Sequence, residues 1–300
     1  MIDLSGTQTA AQVFQPLGVV QLQGPDSAKF LQGQLSADMV ALAAGSTVLA
    51  GYHNVQGRTI ALLRVSKLDA DELLLTLPRE LVADVIARLT RYVLRAKTSI
   101  TDVSAQVTAL GLAQRSPPRA DQELTTLATF QWGRTREVML VPRSARVAAP
   151  AAPPSEPHAQ WHRADIADGL PQVFSATSEA FVAQMLNLDA LGGIAFDKGC
   201  YTGQEVIARA HYRGRVKRRL QRFVLHGAMP AFEPGAVGTL ADGRAFKVVD
   251  AVALADRRCE WLAVAPLSGD ASERQDNASS RQDAAHTPAT QLPLPYALAD

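Results

Sequence analysis

The sequence predicts an α+β protein of more than one domain, and three features predict it. Residues 45–145 alternate short β-rich runs with one strongly amphipathic helical segment. A later stretch, 216–267, holds only alternating apolar runs separated by Gly and Asp, the pattern of a small antiparallel sheet or barrel. Between them lies an Ala- and Pro-rich segment, residues 146–160, which reads as a linker or surface loop because Pro suits neither a helix interior nor a central strand. At 300 residues the chain has room for two domains of ordinary size or three small ones.

The elements follow in order. In "GVVQLQGPDSAKFLQGQLSADM", Val19, Val20 and Leu22 form a short strand, Gly24 breaks it, and Pro25 opens a helix carrying Phe30, Leu31 and Leu35. Pro is tolerated in a first turn because its missing N–H would be unpaired there in any case. "STVLAGYHNVQGRTIALLRV" reads as a hairpin turning at Gln56-Gly57, and "ELLLTL" as a third strand. "PRELVADVIARLTRYVL" is the clearest helix, with Leu81, Val82, Val85, Ile86 and Leu89 on one stripe. "SITDVS" and "QVTALGL" return to strands, as do "RLQRFVLHG", "RAFKVVDAVAL" and "EWLAVAPL". "SGDASERQDNASSRQDAAHTPAT" is too polar to pack and is expected to be a mobile loop. "LPLPYAL" regains enough apolar character to dock.

Composition excludes several classes. A hydrophobic content of 47% and a charged content of 20% are those of an ordinary soluble globular protein with ample core. A net charge of +1 gives no global attraction to nucleic acid or membrane, so any such attraction is local. Two cysteines make no disulfide framework and point to a reducing compartment. The first residues have neither a basic nor an apolar signal region, and no run approaches ~18 uninterrupted apolar residues. A cytoplasmic protein with no membrane partner is expected. His158, His162 and His211 are scattered, and no Cys-x-x-Cys or His-x-x-His pair exists, so no metal site is expected.

One stretch carries chemistry: "FDKGCYTGQE", residues 196–205. A lone cysteine is most often a small core hydrophobe, and Cys259 in "RRCEWLAV" fits that description and is assigned no role. Cys200 differs. Thr202-Gly203-Gln204-Glu205 fits a capping box, with Thr202 as N-cap and Glu205 three residues on. The helix "GQEVIARAHY" would then begin two residues beyond Cys200, and its positive end, together with Lys198, favours thiolate over thiol. Gly199 and Gly203 let the backbone approach closely, Tyr201 offers a ring and a hydroxyl, and Asp197 is placed to orient Lys198.

"LNLDALGGIAFDKGCYTGQEVIAR" closely resembles the signature of the YgfZ-type folate-binding proteins, relatives of the glycine-cleavage T protein. Its core stands here as Lys198, Gly199, Cys200, Tyr201, Gly203, Gln204 and Glu205. "VVQLQGPDSAKFLQGQLSADM" and the terminal "PLPYAL" are similar to other segments of that family, so the likeness spans the chain. The resemblance implies three domains around a central hole that can hold a tetrahydrofolate, with ferredoxin-like α+β parts and a small C-terminal antiparallel β-barrel. It divides the chain into a folate-binding α+β domain (1–45 with 160–215) carrying the Cys200 motif, a second α+β domain (46–158) ending in the Pro-rich linker, and a barrel-like domain (216–300). It implies a maintenance factor for iron–sulfur cluster assembly or repair, with iron–sulfur client or assembly proteins as partners and tRNA affected indirectly through thiolating enzymes.

A folate needs an aromatic or apolar wall, a few polar contacts and a cation for its glutamate tail. The resemblance puts a stacking wall at Trp161 and a second wall at Leu17, where some members carry an aromatic. Arg209 and Arg213, with Lys198, are the candidate cations. Cys200 is the candidate reactive atom. The residues do not separate attack on a disulfide or persulfide, contact with a cluster in transit, and a one-carbon adduct from folate. The alternative is a folate-dependent aminomethyltransferase. Such enzymes carry acidic residues after the Gly turn of the hairpin, whereas "GRTIALLRV" has Ala61 and Leu62 there, which move no proton. A third reading takes "ARAHYRGRVKRRLQR" as a local basic patch for tRNA, although no aromatic platform is interleaved with it.

Overall fold

A computed structural model describes residues 12–13, 17–112, 125–144, 155–226, 232–254, 257–267 and 287–298. Three antiparallel sheets organise them. The first contains β2 (Leu17–Gln23), β3 (Thr47–His53), β4 (Thr59–Lys67), β5 (Glu72–Pro78) and β6 (Ser99–Asp102), in the order β3-β4-β5-β2-β6. The second contains β1 (Gln12–Val13), β7 (Val107–Leu112), β8 (Ala128–Trp132) and β9 (Arg136–Pro142), in the order β1-β7-β9-β8. The third contains β10 (Arg218–His226), β11 (Val237–Thr239), β12 (Ala245–Ala253), β13 (Arg258–Pro266) and β14 (Thr290–Leu292), in the order β11-β12-β13-β10-β14.

Local sequence explains most of these elements. β4 and β5 are continuous apolar runs buried on both faces, as sheet strands covered on two sides must be. The hairpin between β3 and β4 turns where Gly57 takes φ 70°, a conformation glycine adopts without a Cβ penalty. The short helix α1 (Ser27–Gln32) follows Pro25, and α2 (Val82–Val93) turns Val82, Val85 and Leu89 inward. Burying each such side chain contributes about 1.5–3 kcal/mol.

Three expectations change. The 146–160 segment is not loop to its end, because helix α3 (Ser155–Ala167) begins within it. Pro157 falls in the first turn, where a missing N–H costs nothing; residues 145–154 lie outside the described set. The polar segment after Leu267 lies mostly outside that set too, but its end is ordered. Thr287 donates its N–H to Thr239 O at 2.8 Å, and Thr290–Leu292 pair with β10. The boundary expected at 45/46 cuts through one sheet, since β2 pairs with β5 and β6; such long-range pairing leaves no local mark. Among the described residues the third sheet shows no closed ladder, and its two edge segments meet at a single bridge, Leu240–Thr287.

The first two sheets pack against each other through Val19, Leu74, Phe130, Trp132 and Leu140, with Trp161 of α3 completing the cluster. The other flank of α3 lies on β12 and β13. One helix therefore touches all three sheets, and the site forms around it.

Candidate functional site

Trp161, His162 and Asp165 lie on α3 and Asp168 just past its end, so three or four residues of spacing bring them to neighbouring positions on one side. Arg136 of β9 ties them to the second sheet. Its Nη1 donates to Trp161 O at 3.0 Å and Asp165 Oδ1 at 2.7 Å, and its Nη2 donates to Asp168 Oδ2 at 2.8 Å. The guanidinium carbon stands 4.7 Å from the centre of the Trp161 ring, a cation–π contact. Trp132 Nε1 donates to the same Asp165 Oδ1 at 2.7 Å. Burial pushes the Asp165 pKa up to about 6, against the pull of the Arg136 charge and these hydrogen bonds. On the other flank, His162 Nε2 lies 2.7 Å from Asp250 Oδ1 of β12. Burial works against the imidazolium, but the Asp250 hydrogen bond and charge, with that of Asp165, outweigh it and raise the pKa.

These groups line a cavity of about 380 Å³ at the junction of the three sheets. Its apolar walls include Leu17, Trp132, Trp161 and Phe174, and its polar wall includes His162, Asp165 and Asp250. Leu17 comes from the first sheet, Trp132 from the second and Asp250 from the third. A second cavity of about 400 Å³ is lined by Arg64, Phe130, Leu170 and Tyr296, among others. A narrow space of about 20 Å³ shares Trp132 and Asp165 with the first cavity and Arg64 and Leu170 with the second.

The cysteine motif forms a different site. Helix α4 spans Gln204–Tyr212, and its N-cap is Gly203, at φ 83° and ψ −1°, with no side-chain cap. The capping box read from the sequence is therefore absent. Gln204 N–H returns to Tyr201 O at 3.1 Å, closing a turn whose third residue has the positive φ of a type II turn. The hairpin tip leaves no alternative: a Cβ on Gly203 would stand 2.5 Å from Asn54 O and 3.0 Å from Gly57 Cα. Glu205 points to solvent.

Lys198 is buried, and its ammonium donates to Gln32 O at 2.8 Å, Leu35 O at 2.7 Å and Ala37 O at 2.7 Å. Burial pushes its pKa down to about 8, with Asp38 opposing, so it remains protonated at neutral pH and all three protons are taken by carbonyls. It lies 5.0 Å from the Tyr201 ring, which is itself buried with a hydroxyl pKa pushed up to about 12 by burial. Among the described residues no hydrogen bond joins Lys198 to Cys200, so the ammonium acts as a clamp on the 32–37 turn. Cys200 is a free, exposed thiol; Cys259 is free and buried, with its pKa raised by burial.

Trp161 and Leu17 therefore share one cavity, whereas Lys198, Gly199, Cys200, Tyr201, Gly203, Gln204 and Glu205 form a loop and helix start whose residues are not among those lining it. Arg209 and Arg213 are exposed on or just after α4 and line neither large cavity. Sequence reasoning missed Arg64, Trp132, Asp165 and Asp250. For Arg64 and Asp250 a signal exists: each is a charge inside an otherwise apolar strand, "IALLRV" and "KVVDAV". Among the described residues no group of three potential metal ligands occurs, and no helix is long and apolar enough to cross a membrane.

Comparison with known proteins places the chain. No family model matches it. It is 33% identical over 302 residues to the "tRNA-modifying protein YgfZ" of Edwardsiella ictaluri (strain 93-146), covering 92% of this chain and 89% of that protein. The protein of the same name from Serratia proteamaculans (strain 568) is 33% identical over 308 residues, covering 94% and 91%. That of Cronobacter sakazakii (strain ATCC BAA-894) is 30% identical over 325 residues, covering 97% and 96%. Among solved structures, the glycine cleavage system aminomethyltransferase T from Bartonella henselae superposes with a TM-score of 0.60 over 86% of this chain and 78% of that one, at 12% identity, a likeness of fold alone. Identity at this level over nearly the whole length, with the Lys-Gly-Cys-Tyr-x-Gly-Gln-Glu core intact, establishes that the chain belongs to the YgfZ family.

Proposed function

We propose that this protein is a cytosolic folate-binding maintenance factor for iron–sulfur clusters, acting on tRNA modification through the iron–sulfur enzymes that thiolate tRNA. The observation that carries the folate part is the meeting of Trp161 and Leu17 in one cavity with a second indole, Trp132, beside them. The residues fit the ligand. Its volume of about 380 Å³ is in the range of small-molecule sites, and the walls are mainly aromatic and aliphatic with a few convergent polar groups. Trp161 and Trp132 suit flat rings, and Asp165 and Asp250 suit the N–H donors of a pterin edge. Tetrahydrofolate when bound would supply the nitrogens that carry one-carbon units. The name shared by the relatives supports the link to tRNA modification.

Transferase chemistry has less support. Ala61 and Leu62 are buried and apolar where the aminomethyltransferases need carboxylates. Asp165 reaches the passage near Leu62, but its Oδ1 already accepts from Trp132 and Arg136. Cys200, exposed on a loop clamped from beneath by Lys198, is the reactive thiol of this reading.

The test is a titration with tetrahydrofolate read by tryptophan fluorescence. Saturable quenching that weakens at least tenfold in Trp161→Phe supports the reading, and no quenching up to ~mM ligand, the top of the usual range for small-molecule substrates, removes it. In cells, Cys200→Ala is expected to lower iron–sulfur enzyme activity under oxidative stress; normal activity would remove the thiol from the function.

One observation favours direct contact with RNA as a second reading. Phe196 and His211 stack at 3.8 Å, with Tyr212 edge-on at 4.7 Å from His211, beside the exposed Arg209 and Arg213. The aromatics missing from the linear reading are thus assembled in space, and bases stack on such rings. Salt-dependent tRNA binding lost in Arg209→Gln/Arg213→Gln and weakened in Tyr212→Ala would establish this reading; tRNA binding indifferent to both would end it.

A further inference from the structure

Among the cavity-lining arginines, Arg64 is the one set within a strand whose side chain makes no hydrogen bond or ion pair among the described residues; Arg134, which also lines the second cavity, is exposed on a turn. It projects from the middle of β4, between the buried Leu63 and Val65. Its guanidinium carbon lies 5.1 Å from the centre of the Trp132 ring, and its side chain lines both the narrow passage and the second cavity. Other sequestered arginines hold carboxylates: Arg136 holds Asp165 and Asp168, and Arg219 holds Asp189 through two parallel bonds. Asp165 is near enough to favour the charge on Arg64, yet its Oδ1 is occupied by Trp132 and Arg136. Burial outweighs that help and pushes the Arg64 pKa down to about 10. A guanidinium taken from water without a counter-charge is costly to the fold, and a planar fork of donors is matched best by a carboxylate.

We propose that the second cavity is a carboxylate-binding site and that Arg64 is its receptor, for an acid of the glutamate type. The cavity of about 400 Å³ accommodates such a group, with Phe130 and Tyr296 as apolar wall. Two sources share this chemistry, the glutamyl tail of a folate and a free small carboxylate. The site depends on the folate reading for the first source alone.

The experiment measures binding to the full-length protein by calorimetry, with p-aminobenzoyl-L-glutamate, L-glutamate, tetrahydrofolate and a tetrahydropterin lacking the tail as probes. Arg64→Met is expected to weaken at least one carboxylate probe tenfold or more, and Arg64→Lys to recover only part, since an ammonium cannot form the paired bonds. If tetrahydrofolate loses its advantage over the tail-less pterin in Arg64→Met, the tail is the source. If only the smaller acids lose affinity, the source is a free carboxylate. Carboxylate affinities unchanged in Arg64→Met, or no carboxylate bound by the wild-type protein, overturn the proposal. The ligand-free melting temperature gives a separate readout. Arg64→Met should leave it unchanged or raise it, because an uncompensated charge is removed, whereas a fall of several degrees would make Arg64 a structural residue and overturn the proposal. Tetrahydrofolate binding that fails while Arg64-dependent binding of p-aminobenzoyl-L-glutamate persists would defeat the folate reading and leave this one standing.

Discussion

Lys198 and His162 show how a single side chain acts through what it is bonded to. The Lys198 ammonium fills a nest of three carbonyls, and removing it leaves buried acceptors on Gln32, Leu35 and Ala37. Lys198→Met should therefore cost about 2–4 kcal/mol in chemical denaturation, from lost charge-assisted bonds and stranded carbonyls. Lys198→Arg should recover little, since a flat fork does not fit three acceptors around one nitrogen. For His162 the folded pKa is raised, so the His162–Asp250 pair adds stability that is complete below the unfolded pKa of about 6.5 and is lost as pH rises through the folded value. His162→Gln should accordingly cost more stability near about pH 5.5 than near about pH 9, where the imidazole is neutral in both states. Urea denaturation at the two pH values checks this, and an equal cost at both would show that the pair does not titrate as described.

At the scale of elements, the turn from Tyr201 into α4 depends on the β3–β4 hairpin. Gly203 sits at φ 83° with its missing Cβ aimed at Asn54 O, so Gly203→Ala meets both backbone strain and a clash. A loss of about 1–3 kcal/mol is expected, with faster proteolysis of the 196–205 loop as the local sign. Thermal melts and limited digestion check both; a melt like the wild type's would mean that the loop relaxes freely. The same turn shows where local reading fails. "TGQE" satisfies a capping-box pattern, yet the hairpin tip, distant in sequence, fixes Gly203 as the cap and leaves Glu205 in solvent. Where the signal is local it is legible: the Val82, Val85 and Leu89 stripe of α2, with Leu81 just before it, and the Gly57 turn both form as the sequence predicts.

Across the whole molecule, the C-terminal segment closes the assembly. Tyr296 donates its hydroxyl proton to Gly169 O at 2.7 Å, just beyond α3, and accepts from Asn187 Nδ2 at 3.3 Å. Its ring also lines the Arg64 cavity. Tyr296→Phe keeps the ring and removes both bonds, so a loss of about 1–2 kcal/mol is expected, with carboxylate binding little changed. Calorimetric melts with and without p-aminobenzoyl-L-glutamate separate the two effects. A full loss of binding would mean that the hydroxyl, rather than Arg64, receives the acid.

The sequence by itself determined the local elements, the α+β character and the Cys200 motif, because helical stripes, turn glycines and contiguous motifs are written within a few residues. Trp161 and Leu17 entered only through the family resemblance. Only the tertiary structure decided that Leu17 and Trp161 line one cavity, that the Lys198 ammonium serves carbonyls of the 32–37 turn, and that the Arg64 side chain lines the passage and the second cavity with no hydrogen-bonded acid among the described residues. These depend on which distant strands pair and which helix crosses them, and the energy of a buried charge depends on neighbours that the chain brings together only on folding.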